Sequence, residues 1–314
     1  MQLTKQLLNE IADVTSKAAI ACYPYIGKKN KILADKAATD EMRNQLNKLN
    51  IDGEVVIGEG ELDEAPMLFI GEKLGTGNGP CIDIAVDPVE GTNFAANNLP
   101  GALSVLSVSH KGNLFNAPET YMNKIAVGKD VPKDAIDLDY TLEKNIKNIA
   151  ESLNKDINKL TACILERPRH KEFIKELKRL NVNLKLITDG DIAGALLVTD
   201  KKYNIDLFLG IGGGPEGVLA ASALDAFNCN FQGRFLFKTD NDLKRAKKMG
   251  IEDLNKKYNL NEIVKGESIF CATGITSGDL VKGVNKIDNN YVTETLVTHK
   301  NSQIGIIKKE VSIT

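Results

Sequence analysis

The chain has 314 residues, 42% of them apolar and 26% charged, with a net charge of −2 and both signs well mixed. That length calls for two domains or one large layered α/β unit, and the charge balance excludes a broad basic field for nucleic acid or an anionic membrane. Five scattered cysteines (Cys22, Cys81, Cys163, Cys229, Cys271) without a CxxC pair read as buried free thiols, and no apolar run is long enough to span a bilayer.

Residues 1–26 carry Glu10 and Asp13 among their apolar positions and lack a signal-type core, so a cytosolic protein is expected. Leu3, Leu7, Leu8, Ile11, Val14, Ala18 and Ala19 recur at helical spacing, which predicts an amphipathic helix ending near Gly27. A second helix is expected from Ala34, with Ala38, Met42, Leu46 and Leu49 on one face. Asp35 would sit in its first turn, where an acid also complements the helix dipole. Glu54 to Ile57 read as a short strand, after which Gly58 and Gly60 let backbone crowd around Glu59. Glu59, Glu61, Asp63 and Glu64 then lie between that strand and the helix-like APMLFIGEKL. A solvated loop is the plain reading of these acids; a metal ligand at a strand end is the sharper one.

The stretch IDIAVDPVEGTN, residues 82–93, alternates Ile82, Ile84 and Val86 with Asp83 and Ala85, then turns through Pro88 and Gly91. It predicts a strand that stops where Asp87 and Glu90 begin. Two carboxylates three residues apart on a tight turn can converge on one hard cation. A helix starting near Thr92 would turn its N–H groups toward that cation and attract a phosphate. The combination points to metal-assisted phosphate chemistry.

Beyond it, ALSVLSVSH reads as a strand, NAPETYMNK as a loop, Lys129–Tyr140 as irregular, and Leu142–Leu160 as a polar helix. A soft domain boundary is placed near Leu160, giving halves 1–160 and 161–314. The second half alternates strand and helix: CILE, KEFIKELKRL, LKLIT, IAGALLV, IDLFLGI, VLAASALDAF. That rhythm predicts an α/β sheet flanked by helices, with the strand-end loops ERPRH, TDGD and GGGPEG carrying function. FQGRFLF is a further strand, residues 240–258 a charged helix, SIFCATGIT a strand, and the tail a β-hairpin.

Three loops admit competing readings. Gly212, Gly214 and Gly217 formally satisfy GxGxxG between a strand and a helix, with Asp240 at roughly the fingerprint distance. Glu216 would repel a pyrophosphate there, and Gln232, Gly233 and Arg234 suit a buried parallel strand poorly, so a carboxylate beside a cation makes better sense. Asp189 and Asp191 have the DxD spacing of an aspartyl-nucleophile phosphatase, but recognition of sugar hydroxyls fits them better, and Asp191 also suits a helix cap. Arg167 and Arg169, held around Pro168, can fork onto phosphate oxygens; a surface loop paired with neighbouring acids is the plainer alternative.

Together these motifs resemble a known family. DPVEGTN is similar to the DPxxGT signature of the metal-dependent, lithium-sensitive phosphatase superfamily. IGEGELDEAPMLFIGEKLGTG, with the Lys31/Asp35 start, RPRH, DGD, GGGPEG and ATGITSGDL, resembles class II fructose-1,6-bisphosphatase over nearly the whole chain and in the same order. The resemblance implies a layered αβαβα sugar-phosphatase fold of two halves with the active site between them and divalent metal, Mg²⁺ or Mn²⁺, bound there. It places metal ligands at Asp35, Glu59, Asp87, Glu90 and Glu216, and active-site groups at Lys31, Asp63 and Thr92. Substrate contacts fall on Glu90, Gly91, Thr92, Tyr121, Arg167, Pro168, Arg169, Asp189, Gly190, Asp191 and Gly213. The position of Arg167 is often Lys in the family. The implied reaction releases the 1-phosphate of fructose 1,6-bisphosphate, a gluconeogenic step, in a dimer or tetramer. Sedoheptulose 1,7-bisphosphatase or another sugar or inositol phosphatase is the related alternative; a dinucleotide-binding protein or a metal-dependent scaffold is the alternative of another class.

Overall fold

A computed structural model describes residues 3–58, 68–300 and 303–312. In chain order the first elements are α1 (Lys5–Cys22), α2 (Lys31–Leu46), β1 (Asp52–Ile57), β2 (Lys73–Leu74), β3 (Cys81–Glu90), α3 (Thr92–Asn97) and β4 (Leu103–His110). Next come β5 (Tyr121–Val127), α4 (Leu142–Leu153), β6 (Thr161–Leu165), α5 (Lys171–Arg179), β7 (Asn183–Ile187), α6 (Asp191–Leu196) and β8 (Leu207–Gly213). The rest are α7 (Gly214–Ala226), β9 (Asn230–Leu236), α8 (Asp240–Lys248), β10 (Tyr258–Asn259), α9 (Leu260–Ile263), β11 (Ser268–Gly274), β12 (Asn285–Ile287), β13 (Asn290–His299) and β14 (Gln303–Ser312). The class is mixed α/β, as expected.

These elements form two compact units. The first comprises Met1–Asn116 with Val264–Thr314, the second Ala117–Ile263. The division differs from the one expected near Leu160, and strand pairing is the reason. β5 pairs with β8 and β9, which draws residues from 117 onward into the second unit. β11 pairs with β4, which returns the C-terminal strands to the first.

In the first unit the strands run in the order β12-β13-β11-β4-β3-β1-β2, with β14 on the other edge of β13. α1 packs on β11, β13 and β4, and α2 packs on α1 and β3. Ile82, Ile84 and Val86 enter the resulting core with Leu8, Ile11, Met42 and Leu46, so the alternation seen in the sequence is the buried face of β3. Hydroxyls meet across this helix–sheet contact: Ser16 and Thr293 at 2.7 Å, Thr273 with Thr15 at 2.8 Å and with Thr295 at 2.7 Å. Each of these five hydroxyls has a partner, which removes the penalty of burying it alone. Asp83, on the opposite face of β3, accepts the N–H groups of Gly112 (2.7 Å) and Leu114 (3.1 Å), and burial pushes its carboxyl up from the ordinary range.

The second sheet runs β10-β9-β5-β8-β6-β7. β6 is parallel to β7 and β8, whereas β5 is antiparallel to β8 and β9. Ile125, Val127, Ile164, Leu207 and Leu209 from its strands form a separate core with Ile146, Ile149 and Leu177 from α4 and α5. The expected alternation of strand and helix across the second half is present. So is the C-terminal hairpin, with β13 and β14 antiparallel over ten residues each.

Several boundaries moved for identifiable reasons. The expected helix of 142–160 ends at Leu153 because Asn154 turns left-handed at φ 50°. The charged helix from 240 stops at Lys248. The expected loop NAPETYMNK contains the start of β5, which hides Lys124 on its inner face and so breaks the apolar signature of a strand. Residues from Leu68 to Leu74 are not helical; Lys73–Leu74 pairs with β1 instead. α2 begins at Lys31, three residues before the expected start, because the Asn30 side chain accepts the Leu33 N–H at 3.1 Å. Asp35 is therefore in the second turn, and the dipole account of it falls away. Asn30→Ala should lower the unfolding free energy by about 1 kcal/mol, the usual contribution of such a cap; an unchanged urea midpoint would show that the cap does not hold this helix.

Candidate active-site residues

On the first unit the site residues come from α2, the end of β3 and α3, which pack on one another. Lys31 and Asp35 lie four residues apart on α2, hence on one face of it. Asp35 is close enough to the buried Cys22 thiol to help burial push its pKa up to about 12. β3 does not end at Asp87 as expected. It continues to Glu90 through a register shift, with Asp87 opposite Val105 and Glu90 opposite Leu103. Such a bulge re-aims the side chains on either side of it, which is how the two carboxylates of DPVEG come to lie on one strand end. Glu90 is 3% exposed; its Oε2 and Oδ1 of Asp35 are enclosed atoms.

Gly91 follows with φ 76°, a left-handed conformation that opens α3 at Thr92. Any side chain there would be strained, and its Cβ would press on Phe94 at 3.0 Å. The helix expected near Thr92 is present but spans only six residues, so its dipole is small. Backbone bonds from Gly27 N–H to Ala95 O (2.9 Å) and Lys29 N–H to Ala96 O (2.8 Å) tie the approach to α2 onto α3. Glu59 and Asp63 lie outside the described residues. Among the described residues no group of three or more His, Cys, Asp or Glu side chains is gathered closely enough to hold a metal ion.

On the second unit the site residues collect at the ends of β6, β7 and β8, where a parallel α/β arrangement places its functional loops. Arg167 follows β6 and meets Asp189, which follows β7, at 3.4 Å. Pro168 opens the short 3₁₀ turn Pro168–His170 between Arg167 and α5. Arg169 donates from Nε to Ile211 O on β8 at 2.7 Å, and its guanidinium carbon lies 5.1 Å from the Tyr121 ring centroid. Tyr121 itself is 43% exposed and sits opposite Gly213 in the β5–β8 register. Gly190, at φ 83°, opens α6, which begins at Asp191. The capping role suggested for Asp191 is therefore absent: the residue stands inside the first turn.

Asp191 is instead bound to Lys124 of β5. This ammonium group is 2% exposed as a residue, ion-paired with Asp191 Oδ2, and bonded to Gly213 O at 2.9 Å. The glycines of GGGPEG have roles set by these neighbours. A Cβ at Gly212 would overlap the Asp191 carboxylate, one at Gly213 would overlap the Glu216 carboxylate, and one at Gly214 would come within 2.7 Å of the Phe235 ring. Glu216 is in the first turn of α7 and is partly buried as a residue. Burial of its carboxyl raises its pKa most; Asp191 and Glu119 add to the rise, and Lys124 opposes it. The GxGxxG spacing therefore serves close packing: Gly212 against the Asp191 carboxylate, Gly214 against the Phe235 ring and Gly217 against the Met122 sulfur.

Sequence reasoning missed Lys124, which holds Asp191, Glu119, whose charge adds to the rise at Glu216, and Lys238, whose ammonium lies 5.4 Å from the Tyr121 ring centroid. Only Lys124 left a signal: a lone cation at an inner-face position of an otherwise apolar strand. His170, which the sequence placed beside the arginines, has a structural role. It is fully buried, with Nδ1 2.7 Å from Leu165 O, and its Nε2 accepts the Ile211 N–H at 2.7 Å.

A two-sheet α/β architecture with carboxylates at strand ends and Arg169 beside Tyr121 fits a phosphate-processing hydrolase, and comparison with known proteins shows that class. Residues 5–311 match the family model described as bacterial fructose-1,6-bisphosphatase, glpX-encoded, and the chain belongs to that family. The "Fructose-1,6-bisphosphatase 1 class 2" of Escherichia coli K12 is 43% identical over 96% of this chain and 93% of its own. The class 2 protein of Haemophilus influenzae is 40% identical over 96% and 94%. A Trichodesmium erythraeum protein named "D-fructose 1,6-bisphosphatase class 2/sedoheptulose 1,7-bisphosphatase" is 40% identical over 94% and 92%.

Two outcomes follow from the second unit. Gly213 has φ −62°, so alanine strains no backbone there, and only the Glu216 carboxylate must move. Gly213→Ala should keep its circular dichroism spectrum and lose about a hundredfold in turnover, the size of loss that a small displacement in a site can cause; full activity would detach Glu216 from the reaction. Burial holds the His170 imidazole below its ordinary pKa. With the folded pKa below the unfolded one, its contribution to stability is complete above about 6.5 and is lost as pH falls through the folded value. Urea unfolding between pH 7 and pH 5 should therefore weaken more steeply for the wild type than for His170→Gln, and parallel profiles would contradict the neutral tautomer.

Proposed function

We propose that the chain hydrolyses the 1-phosphate of fructose 1,6-bisphosphate to give fructose 6-phosphate and inorganic phosphate. Family membership over residues 5–311 carries this reading. DPVEGT on a bulged strand end and Arg169 beside Tyr121 support it. Hydrolysis of sedoheptulose 1,7-bisphosphate is the second reading, favoured by the relatives that carry both names at 40% identity.

Asp35, Glu59, Asp87, Glu90 and Glu216 are proposed to hold divalent metal. Their donors are all carboxylate oxygens, which suit a hard cation such as Mg²⁺ or Mn²⁺. When bound, such a cation polarises the phosphoryl group and lowers the pKa of water. The chain's own groups do the remaining work. Thr92 Oγ1 orients the attacking water and passes its proton toward the Asp63 carboxylate. The Gly91 and Thr92 N–H groups and the Lys31 ammonium stabilise charge on the departing oxygen. Tyr121, Arg167 and Arg169 bind the distal phosphate, with Pro168 fixing the arginines. Asp189 and the free Oδ1 side of Asp191 accept bonds from sugar hydroxyls, aided by Gly190 and Gly213 at the close approach. Because Asp191 is committed to Lys124 and Asp189 meets Arg167, neither is poised as a nucleophile, which weighs against an aspartyl-phosphate route.

No helix of the described residues is long and apolar enough to cross a membrane; we propose a cytoplasmic homo-oligomer working in gluconeogenesis. The deciding assay is phosphate release from fructose 1,6-bisphosphate and sedoheptulose 1,7-bisphosphate under Mg²⁺ and Mn²⁺. Activity should vanish with a chelator and fall at least about a hundredfold in Asp87→Asn and Glu59→Gln, the scale of losing one electrostatic element of a transition state. A wild type inert on both sugars, or an active Asp87→Asn, would sink the reading.

A further inference from the structure

Tyr121 carries two cations. Arg169 lies 5.1 Å and the ammonium of Lys238 5.4 Å from the centroid of its exposed ring. Neither side chain meets a carboxylate among the described residues; the hydrogen bond that Arg169 makes there goes to a carbonyl, Ile211 O. Two other cations of this unit are paired directly with acids, Lys257 with Asp137 and Asp139 and Arg234 with Asp139. Two like charges drawn to one ring repel each other, and the ring's quadrupole offsets only a small part of that. Their convergence is stabilised when an anion sits between them.

The placement of Lys238 is also fixed by its surroundings. Tyr121 pairs in register with Leu236, two residues before Lys238. Thr120 Oγ1 donates to Leu236 O at 2.7 Å, and the Lys238 N–H donates to Asp242 Oδ2 at 2.9 Å, beside the capping box that starts α8. The backbone on both sides of the lysine is thus held, and its four-carbon stem reaches back to the ring. Among the described residues Arg169 uses only Nε, on Ile211, which leaves its two terminal nitrogens for another acceptor.

We propose that Lys238 is a specificity-determining residue, the cation that with Arg169 and Tyr121 binds the phosphoryl group that is not hydrolysed. This rests on the bisphosphatase reading above. A phosphoryl dianion satisfies two cations and the tyrosine hydroxyl at once, whereas a neutral hydroxymethyl group at the same place would leave both charges uncompensated.

The test has two arms. In the first, kcat/KM is measured for fructose 1,6-bisphosphate and for fructose 1-phosphate, which lacks the second phosphoryl group, with wild type, Lys238→Met and Lys238→Arg. Lys238→Met should reduce the preference for the bisphosphate roughly tenfold through KM, the size expected for one lost charge-assisted bond, and Lys238→Arg should restore most of it. An unchanged preference ratio in Lys238→Met would overturn the proposal. In the second arm, inorganic phosphate is titrated into the metal-chelated full chain by calorimetry. Weaker binding by Lys238→Met supports the site, and equal binding overturns it. Because this arm needs no turnover, a wild type that ignores the bisphosphate would refute the bisphosphatase reading while the phosphate titration still decides on Lys238.

Discussion

The Lys124 ammonium group is enclosed between β5, the start of α6 and the end of β8, where it binds the Asp191 carboxylate and the Gly213 carbonyl. A charge so buried would be strongly unfavourable alone, and removing either partner of such a pair leaves the other uncompensated at about 3–5 kcal/mol. The arrangement of the second unit's site residues depends on this contact. It fixes Asp191 against Gly212, it joins the last turn of β8 to its antiparallel neighbour, and it supplies the positive charge that opposes the raised pKa of Glu216. A stable protein could be made only with apolar side chains at both position 124 and position 191. What such a chain would lose is the Asp191 carboxylate fixed beside bare backbone.

The same constraint explains the glycines. Backbone at Gly212 and Gly213 is covered by carboxylates in the volume that a Cβ would occupy. On the first unit the device is different. There a bulge between Asp87 and Glu90 and the left-handed Gly91 bring acidic side chains to a strand end and start a helix at once. In both units the acids are placed by main-chain irregularity at the end of a strand, and the neighbouring regular elements supply the rigidity.

Legibility in the sequence followed the physics of each signal. The alternation of Ile82, Ile84 and Val86 marked β3 because one face of it is buried. The strand–helix rhythm of the second half was readable for the same reason. The helix at Thr92 was legible from Gly91, although the continuation of β3 to Glu90 was not, since a bulge leaves no periodic trace. β5 was lost because its inner face carries Lys124, and hydrophobic patterning reads a lysine as solvent-facing. The domain division was lost because it depends on long-range pairing of β11 with β4, which no local pattern encodes. Candidate site residues were legible where a motif fixed their type and spacing, as at Asp87, Glu90 and Asp191. Lys238 has no motif. It reaches Tyr121 only because β9 and β5 are neighbours in register.

That difference between motif residues and register-placed residues bears on how recognition and chemistry are divided. Tyr121, Gly213 and Leu236 occupy one level of the sheet across β8, β5 and β9, so cations supplied by two separate stretches of chain, at Arg169 and Lys238, can converge without either loop being long. Arg169 is anchored by a carbonyl of β8, and Lys238 by the cap of α8. A shift of either anchor would change the spacing of the cations while leaving Lys124, Asp191 and Glu216 in place. Charge spacing around the aromatic ring can thus vary independently of the buried carboxylate pair, and a sheet that separates the two lets substrate range drift while the buried arrangement is kept.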